Sequence, residues 1–147
     1  MDISNVRKLT EEIGYYGERP ETLLRIAQTI AALPDDVAIF ALRQMVFASV
    51  GAGVMGMTLP GRIGLAGGSR AFKNRWIVIL DDAMPDNEFP TTIAHEIAHA
   101  WLKHDRLGEM PPNCEREAAE QARSWGFKGL GADPAFCRQH DSIAEGD

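Results

Sequence analysis

The stretch TTIAHEIAHAWL, residues 91–102, decides how this chain is organised. After its two threonines every residue is apolar except two histidines and one glutamate, so the stretch predicts a helix that is buried over most of its surface. His95 and His99 are four residues apart, which places them on one helical face, a single turn from each other. Glu96 follows the first histidine, and the pattern is HExxH. Ile93 and Ile97 share the opposite face, which predicts a second surface to bury.

HExxH indicates a particular chemistry. Two neutral imidazoles hold a zinc ion, and the carboxylate beside them takes a proton from the water on that ion. The alternative is a buried histidine pair that backbone carbonyls or a carboxylate satisfy. Because the rest of the helix is apolar and a third ligand candidate lies downstream, the sequence favours Zn²⁺ bound by His95 and His99, with Glu96 as the catalytic residue.

The composition fits one globular domain that spans residues 1–147. Its 45% hydrophobic and 24% charged residues are typical of globular proteins. The formal net charge of −6, with Lys and Arg scattered along the chain, argues against direct binding of nucleic acid. The two cysteines, Cys114 and Cys137, are too few for a disulfide framework and favour a reducing compartment.

Targeting and membrane signals are not expected in this chain. The first residues, MDISNVRKLTEEIG, are polar and lack the apolar core of a signal peptide. Residues 44–61 carry no charge, but four glycines and a proline interrupt them, which argues against a membrane span. We therefore expect a cytoplasmic protein without membrane contact.

Hydrophobic periodicity and turn residues predict an α+β fold, with helices first and a small sheet after them. The helix of residues 91–102 is expected to begin after an N-cap at Asp86 or Asn87, with Pro90 in its first turn. The chain after residue 131 is polar and is expected to end in a frayed stretch. The predicted helices cover residues 5–14, 21–33, 34–42, 91–102 and 115–125, and the predicted strands cover residues 46–50, 62–66 and 76–80.

Residues 51–56, GAGVMG, match the GxGxxG pattern of dinucleotide-binding proteins. Such a site needs a helix that begins at the third glycine, so that the helix N-terminus faces the pyrophosphate. The residues that follow, MTLPGRIGLAGG, contain a proline and four glycines and cannot form that helix. A glycine-rich turn between strands is therefore the favoured interpretation.

A catalytic zinc site needs a third protein ligand, and two candidates, His104 and Asp105, lie near the histidines in sequence. At about 100° per residue, His104 lies about 140° around the helix from His99, on the wrong face. Asp105 needs the chain to turn sharply first, and Leu102 stands where metzincins have the glycine that permits this turn. A thiolate from Cys114 is a further alternative, although catalytic HExxH sites more usually take a carboxylate or a third histidine.

Glu115, in the segment CEREAAEQARSW, is the favoured third ligand. Ala118 and Ala122 lie on the apolar stripe of the helix predicted there, and Glu115 lies at the edge of that stripe. Glu117 and Glu120 are expected to point away from it, and Glu117 is the second choice as ligand. A solvated, acidic helix start is the alternative interpretation.

These residues resemble the short metallopeptidases of the ImmA/IrrE type. The match runs through TTIAHEIAHAWLKH and EREAAEQA, within residues 76–125, and covers about a third of the chain. The HExxH of the family falls on His95, Glu96 and His99, and its ExxA signature falls on Glu115 and Ala118. The resemblance implies a zincin-like domain in which a helical N-terminal part leads to a small twisted sheet and a zinc site of the gluzincin type between two helices. It also implies a cytoplasmic peptidase whose protein substrate is often a DNA-binding repressor.

The chain departs from that family in two places. The family usually has Asn or Asp after the alanine of ExxA, where the side chain can orient a ligand histidine, whereas this chain has Ala119. The apolar segment after the glutamate helix, often ending in LLMP, is replaced by SWGF. The first departure removes an expected support of the metal site, and the second changes the C-terminal packing.

Two functions follow as hypotheses. In the first, the protein is a zinc endopeptidase with Glu96 as general base, and residues 76–80 form an edge strand that pairs with an extended substrate. In the second, the same fold sequesters a protein partner without cutting it. The presence of Glu96 argues against the second, because a purely structural zinc site does not need a general base. The candidates for the residue that stabilises the oxyanion are Tyr15, Tyr16, His104 and Arg116.

Overall fold

Helices and strands combine in a mixed α+β chain, as the sequence predicts. The computed structural model describes residues 3–50, 56–64, 72–105 and 111–145. In chain order its elements are α1 (Ile3–Glu12), β1 (Gly14–Tyr16), α2 (Pro20–Ala31), α3 (Asp35–Gln44), β2 (Met45–Val50), β3 (Gly56–Gly64), β4 (Phe72–Asp81), α4 (Phe89–Trp101), α5 (Cys114–Ser124), a 3₁₀ turn (Leu130–Ala132) and α6 (Pro134–Glu145).

The sheet has the strand order β1-β2-β4-β3. β1, β2 and β4 are parallel, and β3 runs antiparallel to β4 with Thr58 opposite Val78. β4 therefore lies inside the sheet, and β3 forms one of its edges. The prediction that residues 76–80 form an edge strand is wrong, because both sides of β4 are paired within the chain.

α4 packs its apolar face into the main core. Ile93 and Ile97 are fully buried, as their position opposite the histidines predicts. Burying each of these side chains stabilises the fold by roughly 1.5–3 kcal/mol relative to leaving it exposed. Other buried members of this core come from α2, α3, the strands and the first turn of α4: Ile26, Ile30, Val37, Phe47, Val78, Leu80 and Phe89.

The SWGF segment, residues 124–127, anchors the C-terminal part of the chain. The ring of Trp125 meets Trp101 of α4 edge-on, with the ring centroids 6.5 Å apart. Phe127 packs against the main core and against a small cluster of buried alanines from α4, α5 and the 3₁₀ turn. Aromatic contacts with α4 thus contribute to the C-terminal packing in this chain.

The N-terminal end of α4 differs by one or two residues from the prediction. Glu88 precedes the helix, where Asp86 or Asn87 was expected, and its carbonyl accepts the Thr92 N–H at 2.9 Å. The shift arises because the preceding turn continues to Glu88, whose N–H donates to a carbonyl three residues back at 3.0 Å. Pro90 lies in the first turn, as predicted.

The C-terminal end of α4 is a Schellman turn. Lys103 has left-handed backbone with φ of 60°. The His104 N–H donates to the His99 carbonyl at 2.8 Å, and the Lys103 N–H donates to the Ala100 carbonyl at 3.0 Å. A residue other than glycine costs roughly 1–2 kcal/mol in this conformation. The turn ends the helix at Trp101 and brings the chain back towards His99.

Three predicted boundaries are wrong. Residues 14–16 form β1, which is too short for a periodic signal and depends on pairing with β2. β3 begins at Gly56 and not at residue 62, because nine residues pair with β4 despite their glycines and proline; residues 65 and 66 lie outside the described ranges. No helix is predicted after residue 125, but α6 lies there, and Asp133 caps its start by accepting the Ala135 N–H at 3.0 Å. The expected frayed end stays a prediction, since residues 146 and 147 lie outside the described ranges.

The glycine-rich and uncharged stretches are described in part. Gly56, the third glycine of GAGVMG, begins strand β3, whereas a dinucleotide site needs a helix at that position. Residues 51–55 lie outside the described ranges. None of the helices in the described parts of the chain has both the length and the apolar character that crossing a membrane requires.

Candidate metal centre

Three side-chain atoms from two helices meet at one point. His95 Nε2 and His99 Nε2 of α4 lie 3.1 Å apart. Glu115 Oε2 of α5 lies 2.9 Å from His95 Nε2 and 3.2 Å from His99 Nε2. Both histidines are buried, and the Glu115 side chain is 19% exposed. The folded chain therefore brings together the three residues that the sequence favours as ligands.

This triangle of donor atoms has nearly the size that a tetrahedral ion requires. Nitrogen and oxygen ligands lie about 2.0–2.2 Å from Zn²⁺, so two ligands of one tetrahedron are about 3.3–3.6 Å apart. The observed separations of 2.9–3.2 Å are slightly shorter, and a small outward movement of the side chains admits the ion. Two imidazoles and one carboxylate also form a donor set found in catalytic zinc sites. The cluster could thus hold a metal ion.

α5 presents Glu115 from its first turn. Asn113, just before the helix, has left-handed backbone with φ of 66°, a conformation that asparagine tolerates better than most residues. Ala118 and Ala122 are fully buried where α5 packs on α4. Glu115 lies at the edge of this packed face, as its place on the predicted helix indicates.

A backbone carbonyl contacts the ring nitrogen of His95 that is not part of the triangle. The His95 Nδ1 donates a hydrogen bond to the Gly131 carbonyl of the 3₁₀ turn at 2.7 Å. The same segment is tied to α4 by Thr91, whose hydroxyl donates to the Lys128 carbonyl at 2.5 Å. A Cβ on Gly131 would lie 3.2 Å from the Thr91 carbonyl oxygen, so the absence of a side chain permits this close approach.

Two side chains in a row extend from the ring nitrogen of His99 that is not part of the triangle. His99 Nδ1 lies 2.9 Å from Nδ1 of His104, and His104 Nε2 lies 3.2 Å from Oε2 of Glu117. The expectation that Glu117 points away is wrong, because its carboxylate reaches over to His104. The expectation that His104 lies on the far side of the helix is also wrong, since it assumes a helix that continues past Trp101.

Strand β3 holds Glu96. The Thr58 hydroxyl lies 2.6 Å from Glu96 Oε2 and 2.9 Å from the Glu96 carbonyl oxygen, and both residues are buried. A Cβ on Gly56 would lie 2.9 Å from Glu96 Cγ, so glycine is needed where the strand passes this side chain. The carboxylate next to the ligand triangle is therefore held by the edge strand of the sheet.

Charges within the cluster shift two pKa values strongly. Burial alone lowers the pKa of His95, but side-chain hydrogen bonds to Cys137 and Glu115 and the charges of Glu96 and Glu115 raise that pKa to about 10. Burial alone raises the pKa of Glu115, but hydrogen bonds and charge from His95 and His99 bring it well below its usual value. At neutral pH and without a metal, His95 is protonated and Glu115 is ionised.

The pKa of His104 shifts in the opposite direction. Burial, with a smaller contribution from the charge of His99, lowers the pKa of His104, while the nearby Glu117 opposes the shift. His104 is therefore neutral at neutral pH. A neutral imidazole has one N–H to donate and one lone pair that accepts.

Three of the four candidates for oxyanion stabilisation lie at the other edge of the sheet or have their hydrogen-bonding atoms engaged. Tyr15 and Tyr16 belong to β1, which β2 and β4 separate from β3. The Tyr15 hydroxyl lies 2.9 Å from the Ser49 hydroxyl oxygen, and Tyr16 is 59% exposed. His104 has both ring nitrogens in hydrogen-bond contact, so it cannot also donate to an oxyanion. Arg116 lies 3.6 Å from a carboxylate one turn further along α5.

The alternative ligands do not join the triangle. Among the described residues, the group of three or more side chains that could hold a metal contains neither Asp105 nor Cys114. Ala119, where a supporting polar side chain was expected, is fully buried and offers only a methyl group. Support for the ligand histidines comes instead from Gly131 and His104.

Sequence reasoning missed three residues around the ligands, namely Thr58, Gly131 and Cys137. No pattern marks Thr58 or Cys137, because each meets α4 from a segment that is distant in sequence. The run GLGA at residues 129–132 does carry a signal, since two glycines between helices indicate a close approach of backbone.

Comparisons with known proteins do not add a relative. No family model matches the chain, and no curated protein or solved structure matches it significantly. The resemblance to the ImmA/IrrE metallopeptidases therefore stays a prediction, carried by the HExxH and ExxA residues.

Proposed function

We propose that this protein is a zinc-dependent endopeptidase in which His95, His99 and Glu115 are the ligands and Glu96 is the general base. The observation that carries the proposal is the triangle of donor atoms with a buried carboxylate beside it. The two carboxylates have separate surroundings. Glu115 contacts both imidazoles, whereas Glu96 is held by β3 through Thr58.

Each part of the site has a role in peptide hydrolysis. Zinc bound by these side chains supplies Lewis acidity, which polarises a peptide carbonyl and lowers the pKa of water. Glu96 takes the proton of the attacking water and passes it to the leaving amine. The Thr58 hydroxyl at Glu96 Oε2 restricts the rotation of this carboxylate.

The strand expected to pair with the substrate is β3. It lies at the edge of the sheet and reaches Glu96 through Gly56 and Thr58. An extended protein segment can add to such an edge by backbone hydrogen bonds. Pro60 has no N–H to donate, which suits an edge position. The resemblance to the ImmA/IrrE type adds DNA-binding repressors to the protein substrates worth testing.

The test compares zinc-loaded wild type with Glu96→Gln on a library of peptides and denatured proteins, with new termini identified by mass spectrometry. Glutamine keeps the shape of the side chain and can still accept the Thr58 hydrogen bond, but it cannot take a proton from water. We expect equal zinc content and a rate lower by about 10²–10⁴-fold. Glu120→Gln, an exposed change on α5, is the control and should alter neither quantity.

Three outcomes count against this proposal in different ways. A wild type that takes up no zinc after exposure to the ion contradicts the metal centre. Equal cleavage by wild type and Glu96→Gln contradicts the role of Glu96. If wild type cleaves nothing in the library and Glu96→Gln retains the full cellular effect of the protein, the function is the sequestration of a partner.

A further inference from the structure

His104 is a buried imidazole that the hydrolytic mechanism does not use. It is 2% exposed, and it lies directly behind His99. Its backbone N–H donates to the His99 carbonyl at 2.8 Å, so the Schellman turn itself fixes where this residue sits. Its ring joins His99 Nδ1, at 2.9 Å, to the Glu117 carboxylate, at 3.2 Å. The result is a row of hydrogen-bonding groups from the metal centre to the surface, where the Glu117 side chain is 41% exposed.

The hydrogen bonds in this row have one consistent direction if His99 binds a metal through Nε2. The Nε2 atom faces the other two donors, so its lone pair must point there and its proton must be on Nδ1. The Nδ1–H of His99 then donates to Nδ1 of His104, which is the unprotonated nitrogen. The proton of His104 is on Nε2 and is donated to Glu117, because an ionised carboxylate only accepts.

The opposite direction leaves groups mismatched at both ends of the row. A proton on Nδ1 of His104 would turn the lone pair of its Nε2 towards the Glu117 carboxylate, which also has only lone pairs. At the other end, His99 would present a proton to the metal centre in place of a lone pair. The carboxylate of Glu117 therefore selects the arrangement in which His99 can bind a metal.

The backbone at Lys103 shows how the chain reaches this arrangement. Its φ of 60° is a conformation in which glycine is the usual residue at the end of a helix. Continuation of the helix would carry residue 104 about 140° around the axis and away from His99. The left-handed residue reverses the chain and places the imidazole of His104 against the ligand.

We propose that His104 and Glu117 are positioning residues that set the tautomer and ring orientation of His99 for metal binding. The proposal rests on the metal centre proposed above and goes beyond its ligand set. Neither residue belongs to the triangle of donor atoms. Together they provide the support that the buried methyl group of Ala119 cannot provide.

The test uses two variants of nearly the same shape. His104→Asn keeps an acceptor oxygen at the position of Nδ1, the same number of bonds from the backbone, whereas His104→Leu has no acceptor there. Zinc affinity is measured by competition with a chromogenic chelator, and thermal unfolding of the metal-free proteins is measured alongside. Loss of an outer partner of a ligand histidine typically lowers metal affinity about 10–100-fold, and we expect this loss for leucine and recovery of most of it for asparagine.

A second pair of variants avoids the buried position. Glu117→Ala and Glu120→Ala remove carboxylates from exposed positions of the same helix, and only Glu117 contacts His104. We expect Glu117→Ala to lower zinc affinity by a smaller factor, at most about tenfold, and Glu120→Ala to leave it unchanged. In the zinc-loaded wild type, ¹⁵N NMR should show a scalar coupling between the two Nδ1 atoms, with the proton on His99.

The possible failures are distinguishable. A wild type that binds neither Zn²⁺ nor Co²⁺ overturns the metal centre, and the positioning role fails with it. Zinc binding that is equal in the leucine and asparagine variants, or equal in Glu117→Ala and Glu120→Ala, overturns only the positioning role. A proton found on Nδ1 of His104 in the zinc-loaded protein overturns the assigned direction. If His104→Leu does not fold, the Glu117 pair and the NMR coupling still decide the question.

Discussion

His95 and His99 face the same point, but different kinds of group support them from behind. The Nδ1 of His95 donates to a backbone carbonyl, that of Gly131, in a turn more than thirty residues further along the chain. The Nδ1 of His99 meets the side chain of His104, five residues away, which in turn meets Glu117. The hydrogen bond at Nδ1 of His95 thus depends on where a distant backbone segment lies. The contact at Nδ1 of His99 depends on the identity of two side chains.

This difference determines how each ligand can be changed. A carbonyl accepts a hydrogen bond whatever side chain its residue carries, so the support of His95 is altered only by moving the backbone of the 3₁₀ turn. The support of His99 is altered by a single substitution that leaves the fold in place. We therefore expect substitutions of the side chains behind His99 to change metal affinity directly. Substitutions near His95 should change metal affinity only when they move the Gly131 carbonyl.

The largest expected effect removes a ligand itself. His95→Ala and His99→Ala should each lower zinc affinity by more than the roughly 10–100-fold that loss of an outer partner costs. Zinc should raise the unfolding temperature of the wild type and not of these variants, because the metal binds the folded chain. If either variant keeps the affinity of the wild type, that histidine is not a ligand and its support has no bearing on the metal.

The second prediction compares two glutamates of α5, the proposed ligand Glu115 and the proposed positioning residue Glu117. Glu115→Ala should weaken zinc binding more than Glu117→Ala does, since Glu115 is 2.9 Å and 3.2 Å from the two Nε2 atoms, whereas Glu117 contacts His104. A competition titration with both variants decides the order. The reverse order would make Glu117 the ligand and would require α5 to rotate.

The third prediction concerns pH and His95. A metal must displace the proton that His95 holds with its pKa raised from 6.5 to about 10. From about pH 6 to 8, zinc affinity should therefore rise about tenfold per pH unit, and binding at pH 7 should release about one proton. Calorimetry in buffers with different ionisation enthalpies measures this release. A release near zero would contradict a protonated His95 in the metal-free protein.

The same charges predict how the stability of the metal-free protein depends on pH. Because the pKa of His95 is raised on folding, the contribution of His95 to the free energy of unfolding is complete below pH 6.5. This contribution is lost as the pH rises to about 10. The pKa of Glu115 is lowered, so its contribution is complete above 4.5 and is lost as the pH falls below that value. We therefore expect His95 and Glu115 together to stabilise the fold most between pH 4.5 and pH 6.5. Urea unfolding of wild type and Glu115→Gln across this range is the measurement.

The smallest expected effect tests the backbone support of His95. In Gly131→Ala the new Cβ would lie 3.2 Å from the Thr91 carbonyl oxygen, which shifts the turn and lengthens the hydrogen bond to His95. Zinc affinity should fall by less than about tenfold, the low end of outer-partner effects. Gly126→Ala is the control, because it strains a residue with φ of 95° but meets nothing within 4 Å. It should lower stability without lowering zinc affinity.

Elements with a strong periodic signal were predictable. The apolar helix that became α4 and the valine- and isoleucine-rich strand that became β4 lie where the sequence predicts them, within a few residues at each end. β1 and the first half of β3 carry little local signal, since three residues are too few for a pattern and glycine and proline disfavour strands. Pairing with β2 and β4 decides both. The start of α6 did carry a signal, because Asp133 and Pro134 are typical of a helix N-terminus. The polar composition of the segment made this signal easy to overlook.

Local relations along the chain are enough to predict the three candidate ligands that the fold brings together. Four-residue spacing in a helix puts His95 and His99 on one face whatever surrounds them, and the apolar stripe of α5 carries Glu115 at its edge. These relations are local, because they follow from the pitch of a single helix and from burial of its apolar face.

The tertiary structure alone decided what surrounds those ligands. Thr58 meets Glu96, Gly131 meets His95, and β3 takes the edge position that was predicted for residues 76–80. Each of these contacts joins segments that are far apart in the chain, and no spacing along the sequence encodes them. His104 lies between the two cases. It is near in sequence, but a single left-handed residue, Lys103, decides whether its ring turns away from His99 or lies against it.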